Sequence, residues 1–266
     1  MKIMYPNTYA ESIVASTSNA NFPVASLEDD YVGNLWKATA ATATLTVECT
    51  AGSTCVAIFN TNATSVTVRI SGWQAIDWEA DATRAIDWTA DATRTINWIS
   101  FGQEVSETLY DISASSIGNL WAEYTVTGDL AHTLTITLTG SAIIHAGVLR
   151  VGIVRTFRNP AYGIREALRG YHIRKELNSG GFYTRKRGSA REISFELLED
   201  RETDFYSIFY DYAQVIGPTP IPWRLVHGNV TDWEWVVFAS IEDGSPSGDH
   251  AHLNDSIITI DLIESI

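Results

Sequence analysis

Residues 43–70, ATLTVECTAGSTCVAIFNTNATSVTVRI, decide the fold class. Ala43–Val47 alternates threonine with apolar residues, Cys55–Asn60 is an apolar run, and Ser65–Ile70 alternates again, with Gly, Asn and Ser between them. Val, Ile and Thr at period two between turn residues describe short antiparallel strands. The strands expected here are Ala43–Glu48, Cys55–Asn60 and Ser65–Ile70. Leu120–Val126, Thr133–Leu138 and Ala146–Val154 repeat the pattern, so the N-terminal part reads as an antiparallel jelly roll or β-sandwich. Cys49 and Cys55 flank the turn Thr50–Thr54; a hairpin disulfide fits if the strand ends pair in register, and two buried free thiols are the favoured reading.

Between these strands, Trp73–Trp98 contains a ten-residue unit written twice, AIDWEADATR at Ala75–Arg84 and AIDWTADATR at Ala85–Arg94, with TINW beginning a third copy. Solenoids need three or more longer repeats to share a core, so the unit is a local duplication, read as short strands or a hairpin-like excursion. Trp78, Trp88 and Trp98 recur at its apolar position. They are candidates for packing or subunit contact first, and for a glycan platform second, because flat rings stack on sugars. The acids Asp77, Glu79, Asp81, Asp87 and Asp91 read as a solvated face rather than a calcium site, since Arg84 and Arg94 close each unit and no calcium-loop motif is present.

The net charge of −14 is unevenly placed. Arg150–Arg191 holds eleven of the eighteen Lys and Arg against two acids, a local balance of +9 that leaves −23 for the remainder. The net charge argues against general nucleic-acid binding, and its asymmetry argues for charge-complementary protein contacts. No apolar run reaches the ~20 residues needed to cross a bilayer, and the N-terminus lacks a signal-peptide core, so a soluble protein without membrane insertion is expected.

A division near residue 157 separates the sandwich from a smaller α+β domain, 158–266. There Gly180-Gly181 and Gly188 bracket the basic turn YTRKRG, Ile193, Phe195 and Leu197 line one face of a strand, and Glu199–Val215 has the apolar spacing of an amphipathic helix ending at Gly217-Pro218. Trp223–Val226, Trp233–Ile241 and Asp255–Ile263 complete an antiparallel sheet.

Two resemblances follow from these residues. NFPVASLEDDYVGNLW, then TLTVEC, then CVAIFNTNATSVTVRI, resembles the discoidin-like (galactose-binding-like) jelly-roll modules of phage virion proteins, over roughly residues 1–157. The succession GGFYTRKRG, REISFELL, amphipathic helix, Pro-rich turn, WEWVVF and ITIDLIE resembles tail-tip and distal-tail structural proteins of long-tailed phages, over about residues 158–266. The resemblance implies a virion protein of the tail, made in the host cytoplasm. It would assemble as a ring with copies of itself and with tube, hub and tape-measure-region proteins, and touch host-surface glycans.

Catalytic chemistry finds no support in the sequence. There is no Gly-x-Ser-x-Gly, Walker or His-Glu-x-x-His pattern, and nothing selects a carboxylate pair among 32 acids. His250 and His252 sit in a loop-like GSPSGDHAH stretch without a third metal ligand. No cofactor or metal is expected. Arg185, Lys186, Arg187 and Arg191 are therefore the candidate partner-interface residues, with carbohydrate recognition through the tryptophan repeat as the alternative function.

Overall fold

The computed structural model describes residues 1–74, 99–107, 118–126, 131–160, 163–176, 182–185, 188–200, 214–225, 235–242, 245–249 and 255–265. The chain is mainly β. Its first half carries β1 (Lys2–Met4), β2 (Ala10–Ala15), β3 (Trp36–Lys37), β4 (Thr42–Cys49), β5 (Cys55–Thr61), β6 (Ser65–Gln74), β7 (Ile99–Glu107), β8 (Gly118–Glu123) and β9 (His132–Thr139). Then come β10 (His145–Ala146), β11 (Val148–Gly152), β12 (Val154–Thr156), β13 (Ile164–Gly170), β14 (Ile173–Glu176), β15 (Phe182–Arg185) and β16 (Ser189–Asp200). The last four are β17 (Ile221–Arg224), β18 (Val236–Ile241), β19 (Ser247–Asp249) and β20 (Asp255–Glu264).

Three sheets stack. An outer sheet of five strands runs β2-β4-β9-β6-β7, a middle sheet of three runs β11-β5-β8, and a base sheet of eight runs β12-β1-β17-β18-β20-β16-β13 with β19 alongside β20. The pairings between named strands are antiparallel. Alternation on β4 (Ala43, Leu45, Val47), β6 (Val66, Val68, Ile70) and β9 (Leu134, Ile136, Leu138) fills the space between the outer and middle sheets. Val56 and Ile58 of β5 and Leu149 and Val151 of β11 meet them from the middle sheet. The intervening residues Cys55, Ala57, Phe59 and Val148 face the other way, onto Met4, Val236 and Phe238 of the base sheet. Both faces of the middle sheet are thus covered, which is why CVAIF and VLRVG read as nearly unbroken apolar runs.

The base sheet alternates in the same manner. Val236 and Phe238 of β18 face the middle sheet, while Val237 and Ala239 join Ile3, Trp223, Phe195, Leu197, Ile258 and Ile260 in a third apolar layer. Its first strand comes from the N-terminus: Lys2 pairs with Thr156 on one side and Arg224 on the other. The division near residue 157 is therefore crossed by β1 and β12, which complete the base sheet.

The helix expected over Glu199–Val215 lies for the most part, at 201–213, outside the described residues. Its first two positions belong instead to β16, because Glu199 and Asp200 pair with Ser256 and Asp255. A helical turn at Gln214–Ile216 follows, and Ile216 is buried in the third apolar layer. Cys49 and Cys55 are free and buried, facing different layers.

Candidate assembly surface

The segment from Ile164 to Arg191 forms an arm at the edge of the base sheet. β13 is the outermost strand beyond β16, pairing Ile164 with Phe195 through to Gly170 with Ser189. A strand packed on a core hides every second residue, yet Arg165 to Gly170 are all exposed, and Leu168 is 77 % accessible. β14 and β15 continue as a two-stranded hairpin, Ile173 opposite Arg185 and Glu176 opposite Phe182, joined to the stem by the Tyr171 N–H donating to Gly188 O. Lys175 and Arg185 are exposed on it.

Part of the basic belt is neutralised within the chain. Arg191 holds Glu166 at 3.3 Å and Glu264 at 3.3 Å, and Arg169 holds Glu192 at 3.2 Å and Glu242 at 2.8 Å. Burial raises the pKa of Glu264 and the nearby Glu166 charge adds to this, while Arg191 opposes it. Arg150 is 9 % exposed and donates to the carbonyls of Leu27, Glu28, Asp29 and Leu149 and to Asp30 Oδ1 at 2.7 Å. Of the four expected interface cations, Arg185 is exposed, Lys186 and Arg187 lie outside the described residues, and Arg191 is committed to its two carboxylates.

No family model matches this chain, and no curated protein matches it.

A second feature lies where the middle and base sheets meet. A cleft of about 140 Å³ is walled by Val32, Phe59, Asn60, Asn119, Phe238 and Ser265, among others. The Phe59 and Phe238 rings, centroids 5.2 Å apart, belong to the two different sheets. The amides tie the walls together: Asn119 Nδ2 donates to Val236 O at 2.7 Å, Asn119 Oδ1 accepts from the Asn60 N–H, and Asn60 Nδ2 donates to Val32 O. Asn60 takes φ 55° where β5 shifts register against β8, a left-handed conformation that asparagine tolerates. Ser265 Oγ donates to Asp30 O, which pins the exposed loop Glu28–Tyr31 at the lip.

The layers are also locked by charge. Glu123 of β8 accepts from Lys2 of β1 at 2.7 Å and from Trp121 Nε1 at 2.8 Å, with Arg224 of β17 at 3.5 Å. Burial alone would raise its pKa, but the Lys2 and Trp121 hydrogen bonds and the charges of Lys2 and Arg224 outweigh it and hold the carboxyl low.

One polar cluster among the described residues is sealed in. Ser53 Oγ lies 2.8 Å from Tyr124 Oη and 3.1 Å from His132 Nε2, all three buried. Burial pushes the Tyr124 phenol up and the Cys49 thiol up to about 12. Among the described residues, no group of three His, Cys, Asp or Glu side chains is placed to hold a metal ion.

Trp78, Trp88, Trp98, the repeat acids and the two loop histidines lie outside the described residues. The ends of the repeat do not: Trp73 pairs with Ser100 and Gln74 with Ile99, so the unit leaves and re-enters through adjacent strands, β7 being the last of the outer sheet.

β13 carries no period-two signal in the sequence, because Arg165 to Gly170 are exposed on both faces. Arg150 lies inside the buried run VLRVG and is an interior cation, not one of the exposed cations of the Arg150–Arg191 stretch.

Proposed function

We propose that this chain is a non-enzymatic structural protein of a phage tail tip, in the distal-tail or baseplate region, which assembles with copies of itself and with tail partners. The observation that carries the reading is the arm. A ribbon exposed from Arg165 to Gly170, with a 77 % exposed leucine, contributes little to its own core, and its outer edge, unpaired among the described residues, is a template for pairing with another chain. The exposed cations Arg165, Lys175 and Arg185 suit an acidic partner, and the chain outside Arg150–Arg191 carries a net charge of −23. The sealed Ser53–Tyr124–His132 cluster and the buried Cys49 suit a role without catalysis. On this reading the protein is made in the host cytoplasm and resides in the virion tail.

The test is sedimentation of the purified chain, alone and with candidate tube and hub proteins, across a salt series. Association should weaken as salt rises and weaken further when Arg185, Lys186 and Arg187 are replaced by serine. A chain that stays monomeric with every tail partner, or an antibody that finds no epitope at the tail end of virions, removes the reading.

A further inference from the structure

We infer that Leu168 of the arm seats in the Phe59–Phe238 cleft of a second copy of this chain, with the acidic loop Glu28–Tyr31 of that copy receiving the arm's cations. The inference rests on the self-assembly reading and names the receiving surface.

Size comes first. Pockets for free ligands span roughly 300–1,000 Å³. The cleft, at about 140 Å³, has room for one side chain. Phe59, Phe238 and Val32 supply aromatic and aliphatic carbon to it, with Asn60, Asn119 and Glu264 at its polar side, while two other grooves of the base sheet, about 240 and 370 Å³, carry more charge, from Arg165, Glu192, Glu196, Glu242 and Asp261. An aliphatic anchor therefore gains most in the cleft. Among the described residues Leu168 is the most exposed large apolar side chain, and it sits on the outermost strand of the base sheet, where it can enter a neighbour without unfolding its own sheet.

Charge gives the match its direction. Glu28, Asp29 and Asp30 are exposed beside the cleft, Asp30 already sharing its carboxylate with Arg150 and Asp29 with the Asn34 amide, and Tyr31, 52 % exposed, folds its ring over Gly33 at the lip. The arm brings Arg165, Lys175 and Arg185, and a guanidinium can pair with those carboxylates or lie on that ring. Knob and hole are different surfaces of one chain. Repetition is thus head to tail, which closes into a ring when the rotation per subunit permits.

The test mixes two single variants, Leu168→Cys and Ser265→Cys, and oxidises mildly. Cys49 and Cys55, 2 % and 0 % exposed, give little background. A covalent heterodimer should form well above a control mixture of Leu168→Cys with Val14→Cys, a 60 % exposed site on β2 of the outer sheet. Leu168→Asp should weaken self-association by ~30-fold or more, the loss typical of a central anchor. Cross-linking no better than the control, or undiminished association of Leu168→Asp, while the wild-type chain still assembles, overturns the inference and leaves self-assembly standing. A wild-type chain that is monomeric alone and with partners overturns both.

Discussion

The Arg150 guanidinium lies 5.5 Å from the centroid of the Phe238 ring, joining the middle sheet to the base sheet through a cation over an aromatic face. The same group is the hydrogen-bond donor for the Leu27–Asp30 turn. Arg150→Met should cost about 3–5 kcal/mol in urea unfolding, because buried carbonyls lose their donor. Asp30→Asn should cost less than ~1 kcal/mol, since that carboxylate is over half exposed and screened by water. Equal losses would show that the ion pair, and not the carbonyl set, matters.

Phe238 is 1 % exposed and belongs to the layer shared by the middle and base sheets. Phe238→Ala should destabilise by about 3–5 kcal/mol. Because the sheets share this layer, the wild-type chain should unfold in one transition whether followed by tryptophan fluorescence or far-ultraviolet circular dichroism. Two separated transitions would mean that the parts on either side of residue 157 fold independently.

Glu123 gives the acid limb. Its folded pKa lies below its ordinary value of ~4.3, so its contribution is fully present above that pH and is lost as pH falls through the folded value. Glu123→Gln should lower stability at pH 7 by less than ~1 kcal/mol, allowing for the group's partial exposure, and the gap should close on acidification below about pH 4. A gap that widens in acid contradicts the sign.

Cys49, with its pKa at about 12, and the fully buried Cys55 should resist a thiol reagent at pH 8 in the folded chain. Both should react at once in denaturant. Fast labelling of either in the native state would place it at the surface.

The strands were legible where one face is buried: Leu45 and Val47, or Ile193, Phe195 and Leu197, declare their side by alternation. Arg191 was also legible in principle, being two residues before Ile193 and so directed to the same face, toward Glu264. What the sequence could not disclose was pairing at a distance. β1 is three residues long, and its partners near Arg155 and Trp223 are remote in the chain, so no local pattern marks it. The cleft was hidden for the same reason, being assembled from the Val32 loop, the end of β5 and the C-terminal strands. Its acidic lip was visible only as part of LEDDYVG.

The pairing of Gln74 with Ile99 also bears on how this protein can change. Because the ten-residue units lie in the sequence between two positions that already pair with each other, one copy can be gained or lost while the register of β6 and β7 stays as it is. Each doubling of such a closure costs only ~0.6 kcal/mol in chain entropy. The stretch of chain between Gln74 and Ile99 thus has a length that can change in ten-residue steps, at little cost to the fold that bears it.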